Sequence, residues 1–453
     1  MRLPVAGLGP SPASRDRVMF RVALLSYHFF NYTAEGVATG KLARALTDAG
    51  HRVVVVTSRE NWLEGDRDQP TEGPLAGITV DRLAADPALT PGWWRRLEER
   101  SSPTRLGALA NLLHGSSAAE WAWAAAAARH TVRIRSDDGP FDLLHTRLNP
   151  PVSHLAGLLV ARRIPALPWC AYFSDPWPPH LYPAPYRSSL GRLSRWRLER
   201  LLDRILTTAG SCVFPAARLR DHLLSGRRAR FRERAVVAPH LINVWRQPQP
   251  KARGETLRIL HTGFLMKERR LEPLLDALRL LRRRRPAETR DLRLEFIGRF
   301  PDRWSLPRPP EDLRETVVFH RYVRPEKIWD RLLEADVLLL VEAAMEQGIF
   351  FPSKLADYLG AGRPILALSP QRGVAADLLA AGGGLVVDPQ DVEGIARSLE
   401  TLVDAWRNGR LIDLVPTAEQ VRLVSPEHVV AQYERAFARA IAHAGGRTAS
   451  SLP

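Results

Sequence analysis

Three short stretches hold residues whose types and spacing could handle a phosphorylated ligand. In PSKLADYLGAGRP, Pro352 and Ser353 open a helix and put Lys354 on its first turn, with Asp357 one turn further on. An ammonium there can meet phosphate oxygens, because a helix N-terminus already presents unpaired N–H groups and the positive end of a dipole. Gly263 ends an apolar run, and Lys267, Arg269 and Arg270 follow before the next helical pattern. Cations placed so suit a departing diphosphate; a solvated basic helix start is the plainer alternative. Gly36 falls where the first strand pattern turns into the first helix. A glycine there either lets backbone N–H groups approach a phosphate or simply makes the turn.

The elements that must position these residues alternate. VALLS (22–26), a helix pattern over about 35–49 closed by Gly50, and VVVVT (53–57) form a strand–helix–strand unit. Its near-continuous valines are expected of a parallel sheet buried on both faces. Further strands are predicted at 78–83, 142–146, 168–173, 212–214 and 236–238. Gln, Pro, Lys, Arg and Gly then gather over 245–256, which is linker chemistry. A second series follows, with strands at 258–262, 292–297, 317–319, 337–341, 364–368 and 384–387. The predicted class is α/β, with two Rossmann-like doubly wound domains whose strand ends face a central cleft. The expected division is a disordered extension over 1–18, a first Rossmann-like domain over 19–245, a second over 246–425, and a helix over 426–445 crossing back to the first domain.

Composition narrows the classes. The chain has 453 residues, 45% hydrophobic and 25% charged, a globular mix long enough for more than one core. Its net charge of +16 favours anionic partners such as nucleotide diphosphates or acidic lipid surfaces. Cys170 and Cys212 lack metal-ligand spacing and read as buried free thiols of a reducing compartment. The richest apolar stretch, 121–128, is far short of the roughly 18 residues that suggest a membrane span. The first 18 residues lack the apolar core of a secretory signal. A cytoplasmic location is expected, with peripheral contact at the inner face of the plasma membrane kept open. No pattern of an RNA-binding module or zinc finger is present, and neither a metal nor a cofactor is predicted. The stretch 187–204 mixes six arginines with Leu190, Leu193, Trp196, Leu198, Leu201 and Leu202. Packing of one face on the core is the expected role, with anionic lipid the alternative.

The opening EGVATGKLARALTDAGHRVVVVTS (35–58) resembles that of the GT-B glycosyltransferases, in particular the large retaining family 4-like group (glycosyl transferases group 1). ILHTGFLMKERRLEPLLDAL (259–278), FIGRF, VVFHRYVRPEKIWDRLLEADVLLL and FFPSKLADYLGAGRPILAL follow in that family's order, so the likeness covers about 20–445. The resemblance implies transfer of a sugar from a nucleoside-diphosphate sugar to a hydroxyl acceptor, a polysaccharide or lipid-linked glycan, with retention. It implies Lys354 and Arg269 as aids to the departing diphosphate, with Lys267 and Gly263 beside them. Asp357 takes the position that accepts from the ribose hydroxyls. Ile349 stands where the family has the first of two carboxylates, so Gly348 and Ile349 are expected to offer backbone N–H groups instead. Phe264 occupies a position usually basic. At the strand end that begins AYFSDPW, Asp175 is the candidate for acceptor contact or base, beside Ser174; an Asp-Pro turn is the alternative. His145 is the second choice. Trp93, Trp94, Trp177, Tyr182 and Tyr186 are candidate surfaces for a sugar ring or acyl chain. The alternatives in function are a GT-B nucleotide-sugar epimerase and a catalytically idle GT-B subunit that binds a partner.

Overall fold

The computed structural model describes residues 18–30, 33–59, 77–85, 117–242, 251, 253–300, 306–323 and 325–450. The expected extension up to residue 17, the Trp93-Trp94 loop and most of the expected linker lie outside these residues.

The first half forms a seven-stranded sheet. Its strands are β1 (Arg21–Leu25), β2 (Arg52–Ser58), β3 (Thr79–Leu83), β4 (Leu143–Arg147), β5 (Trp169–Tyr172), β6 (Ser211–Phe214) and β7 (Ala235–Val237). They run in the order β3-β2-β1-β4-β5-β6-β7, and every pairing is parallel. The second half holds β8 (Leu257–Thr262), β9 (Leu292–Ile297), β10 (Val317–His320), β11 (Val337–Val341), β12 (Ile365–Leu368) and β13 (Gly384–Val387). Their order is β10-β9-β8-β11-β12-β13, again all parallel. In each sheet the strand order reverses beside the first strand, and the crevice beyond the strand ends at such a point is where an α/β sheet takes its ligand.

Burial on both faces explains the apolar strands. All five residues of VLLLV in β11 are buried, and Val53–Val56 of β2 likewise. Helix α1 (Ala34–Asp48) covers one face of the first sheet; Thr33 caps it by accepting the Gly36 N–H at 3.0 Å. Helix α2 (Ala118–Asp137) covers the other, opened by a reciprocal Ser117–Glu120 capping box, and its fully buried Trp123 meets the Tyr27 ring edge-on. Helices α3 (Val152–Arg163) and α4 (Arg192–Thr208) complete that layer. In the second domain, α5 (Glu272–Arg284), α6 (Ser353–Ala361) and α7 (Val392–Arg407) flank the sheet. The arginines at the end of α5 are not merely solvated: Arg284 pairs with Glu393, and Arg285 with Asp404, both on α7.

The last helix, α8 (Pro426–Ser450), leaves the second domain and packs on the first. Val429, Val430, Tyr433, Ala436, Phe437 and Ala440 are buried in the first domain's core. Gly210 permits the approach, because a Cβ there would stand 2.8 Å from the Ala440 carbonyl oxygen. The domains also touch directly. Ile349, from the loop after β11, is buried in the first domain's core, and Ile242 is buried in the second's. Gly360 is therefore a packing glycine inside α6; its Cβ would meet Ile242 at 2.7 Å. Two ion pairs, Lys41–Asp357 and Arg218–Asp377, span the boundary.

Candidate active site

A cleft of about 530 Å³ lies between the domains, lined from both sides. That volume suits a small-molecule ligand.

The second domain supplies a cationic wall. β8 ends at Thr262, whose N–H donates to the Tyr358 hydroxyl of α6 at 3.0 Å, tying strand end to helix. Gly263 follows with φ of 100°, and a Cβ there would come within 3.1 Å of the Lys354 Nζ. The torsion favours glycine, and the missing Cβ leaves room for the lysine. Lys354 is on the first turn of α6, which has no side-chain cap, and Pro352, Ser353 and Lys354 at this helix start line the cleft. The Lys354 Nζ lies 3.2 Å from the His261 Nε2, and the His261 Nδ1 lies 2.9 Å from the Leu339 carbonyl oxygen. A carbonyl can only accept, so Nδ1 carries the proton and Nε2 is left to accept from the ammonium. Burial, then Lys354, pushes the His261 pKa well down, which keeps the ring neutral. Burial, then Arg269, likewise pushes Lys354 well below the ordinary lysine value, with Glu342 opposing. Glu342 directly follows β11 and accepts from Ser369 Oγ at 2.5 Å; burial raises its pKa. The Arg269 Nε is buried without a hydrogen-bond partner among the described residues.

The first domain supplies a wall of carboxylates that are already engaged. Glu35, in the first turn of α1, accepts from Arg147 Nε at 2.8 Å and from Thr39 Oγ1 at 3.2 Å. Burial nevertheless pushes its carboxyl up to about 7. Arg147 also donates to the Tyr433 hydroxyl of α8 at 3.0 Å, and its guanidinium stacks 3.8 Å from the Tyr172 ring centroid. Asp175 lies just beyond β5 and accepts from Asn149 Nδ2 at 3.2 Å and Ser174 Oγ at 3.1 Å. Burial raises its pKa, while Ser174, Asn149 and Arg269 pull the other way. Between the walls, Phe350 packs against Tyr182 and Tyr186.

Asp175, Arg269, Lys354, Gly263 and Asp357 thus line one cleft. Asp357 is not open: both its oxygens accept from Lys41 Nζ at 2.7 Å. Four other expectations change. Lys267 is exposed and does not line the cleft. The Gly36 N–H is spent on the Thr33 cap, so it is not part of a phosphate cradle. The Gly348 N–H donates to the Arg372 carbonyl at 2.9 Å, and Ile349 is core, so neither lines the cleft. His145 is fully buried, bonded to the Cys170 carbonyl and packed on Tyr433 and Phe437. Sequence reasoning passed over His261, Glu342, Lys41 and the Glu35–Arg147–Tyr433 set. Glu342 carried a usable signal, since it follows VLLLV just as Asp175 follows its own strand. Among the described residues no group of three or more His, Cys, Asp and Glu could hold a metal ion.

Two parallel doubly wound domains, closed by a returning C-terminal helix around a shared cleft, define the GT-B architecture. The profile of the group 1 glycosyl transferases matches residues 256–405, the second domain. No curated protein sequence matches the chain. Among solved structures, a glycosyltransferase from Rickettsia africae is similar, with a TM-score of 0.57 and 12% identity, over 93% of this chain and 99% of that one. The sucrose-phosphate synthase of Thermosynechococcus elongatus is similar at 0.57 and 15% identity, over 93% and 99%. A TarM mutant of S. aureus, solved with fondaparinux, α-GlcNAc-glycerol and UDP, is similar at 0.56 and 8%, over 92% and 100%. At these identities the likeness is one of fold.

Proposed function

We propose that the chain is a retaining hexosyltransferase of the group 1 type, moving a sugar from a nucleoside-diphosphate sugar to a hydroxyl of a polysaccharide or lipid-linked glycan. The observation that carries this reading is the convergence of Lys354, the Arg269 Nε that has no partner among the described residues and the uncapped start of α6 on one side of the cleft. Such a set stabilises charge that develops on a departing diphosphate. The bond from the anomeric carbon to the diphosphate oxygen breaks, and the acceptor oxygen bonds to that carbon. The hydroxyl proton passes to Asp175 or to an oxygen of the leaving diphosphate. Asp175 faces the cations across the cleft, and its raised pKa makes it a better proton acceptor than an exposed carboxylate. Asp357 reads the ribose hydroxyls, with Lys41 holding it in place. The reaction belongs in the cytoplasm, where nucleotide sugars are the donor pool.

A panel of nucleotide sugars incubated with the purified chain tests the reading. Slow hydrolysis of one donor, accelerated by glycan acceptors, is expected. Release of an epimerised free sugar would make the chain an epimerase. No binding of any nucleoside diphosphate would make it an idle subunit.

A further inference from the structure

Helix α4 turns Ser194, Leu198, Leu202 and Ile205 into the core. At intervals of three and four residues, Leu193, Trp196, Arg197, Arg200 and Arg204 form a stripe on the opposite side, all exposed. Leu193 is 56% and Trp196 52% exposed, which is costly for side chains of that size without a covering surface. Arg200 lies over the Trp196 ring, 4.5 Å from its centroid. Among the described residues none of Arg197, Arg200 and Arg204 has a carboxylate partner, although the helix carries two acids. Glu199 and Asp203 lie on the flank, where Arg195, Arg227, Arg228 and His180 hold them. The stripe is therefore cationic and apolar together, with its acids neutralised elsewhere.

We infer that this stripe docks the protein on an anionic bilayer. Tryptophan favours the headgroup level, leucine reaches the acyl boundary, and arginines pair with acidic headgroups. Because the other face of α4 is fixed in the core, the surface is preformed and rigid, so little order is lost on binding. The helix begins six residues after Tyr186, which lines the cleft, so docking would bring the acceptor-side mouth close to the membrane. That consequence, a membrane-borne acceptor, rests on the transferase reading; bilayer binding itself does not, and it is measured without any sugar donor.

The full-length protein is sedimented with phosphatidylglycerol-containing vesicles and with pure phosphatidylcholine vesicles. Binding to the anionic vesicles alone is expected, released at ~1 M salt, where screening shortens to ~3 Å. Combining Arg197→Glu, Arg200→Glu and Arg204→Glu should weaken binding at least about a hundredfold, and Trp196→Ser about tenfold. A control with the same charge change in the second domain, Arg283→Glu, Arg290→Glu and Arg397→Glu, should bind within a few-fold of the parent. Equal losses in both triple variants, equal binding to neutral vesicles, or no binding at low salt would each overturn the inference. So would loss of nucleic-acid or protein binding in the stripe variant while vesicle binding persisted.

Discussion

The two walls of the cleft are built on the same plan and charged in opposite ways. Each consists of residues at the carboxyl ends of parallel strands, next to the first turn of a helix. In the first domain the carboxylates of Glu35 and Asp175 are already engaged by donors of their own domain. In the second, Lys354 has only a neutral imidazole as hydrogen-bond partner, and Arg269 keeps a buried N–H unpaired. An engaged carboxylate is a fixed surface for orienting hydroxyls, while two clustered cations favour an anionic ligand. One scaffold thus yields two half-sites, set apart by Lys354 on a helix's first turn and Arg269 in the loop after β8 on one side, and by engaged carboxylates on the other.

The largest effect should come from separating the walls by mutation. Lys354→Ala should lower turnover by roughly 10²- to 10³-fold in both transfer and donor hydrolysis, since both need the diphosphate to leave. Asp175→Asn should lower transfer by about 10²-fold while sparing donor hydrolysis. Rates for both reactions in both variants would show it, and parallel losses in Asp175→Asn would erase the distinction between the walls.

Stability should divide the walls too. Glu35→Gln leaves the buried Arg147 without its counter-charge and should destabilise the fold by about 3 kcal/mol, read by denaturant unfolding. Lys354→Ala should cost little or even stabilise, because it removes a desolvated charge. A stable Glu35→Gln protein would mean that Tyr433 and Thr39 alone hold Arg147.

A smaller effect is expected at Asp357. Exchange for Asn should weaken nucleoside-diphosphate binding about tenfold, through loss of charge-assisted bonds. The 2′,3′-dideoxy analogue should lose little by comparison in the same titration. Equal losses would leave Asp357 as only an interdomain tie to Lys41.

The smallest signal is protonic. Lys354 has a folded pKa depressed by burial, and a bound diphosphate raises it again. Between the depressed value and the ordinary lysine range, binding should therefore take up a fraction of a proton, and affinity should fall as pH rises. Calorimetry in buffers of different ionisation enthalpy would detect it; the same uptake in Lys354→Met would assign the proton elsewhere.

The sequence by itself determined what depends on neighbours along the chain. The valine run after Gly50 and the apolar run ending at Gly263 made the parallel strands legible, because burial on both faces demands apolar residues in succession. Lys354 on the first turn of a helix, and Asp175 at a strand end, were legible for the same local reason. Contacts between distant residues carry no period and leave no such mark. Arg147 meets Glu35 across 112 residues and Tyr433 across 286, and Lys41 reaches Asp357 across 316. Only the tertiary structure could show that Asp357 is already held, that Gly36 and Gly348 have spent their N–H groups, and that His261 aims the lysine. Local spacing sets which elements form, whereas which polar groups remain unpaired is decided only when the elements pack, since each buried donor and acceptor must then find a partner.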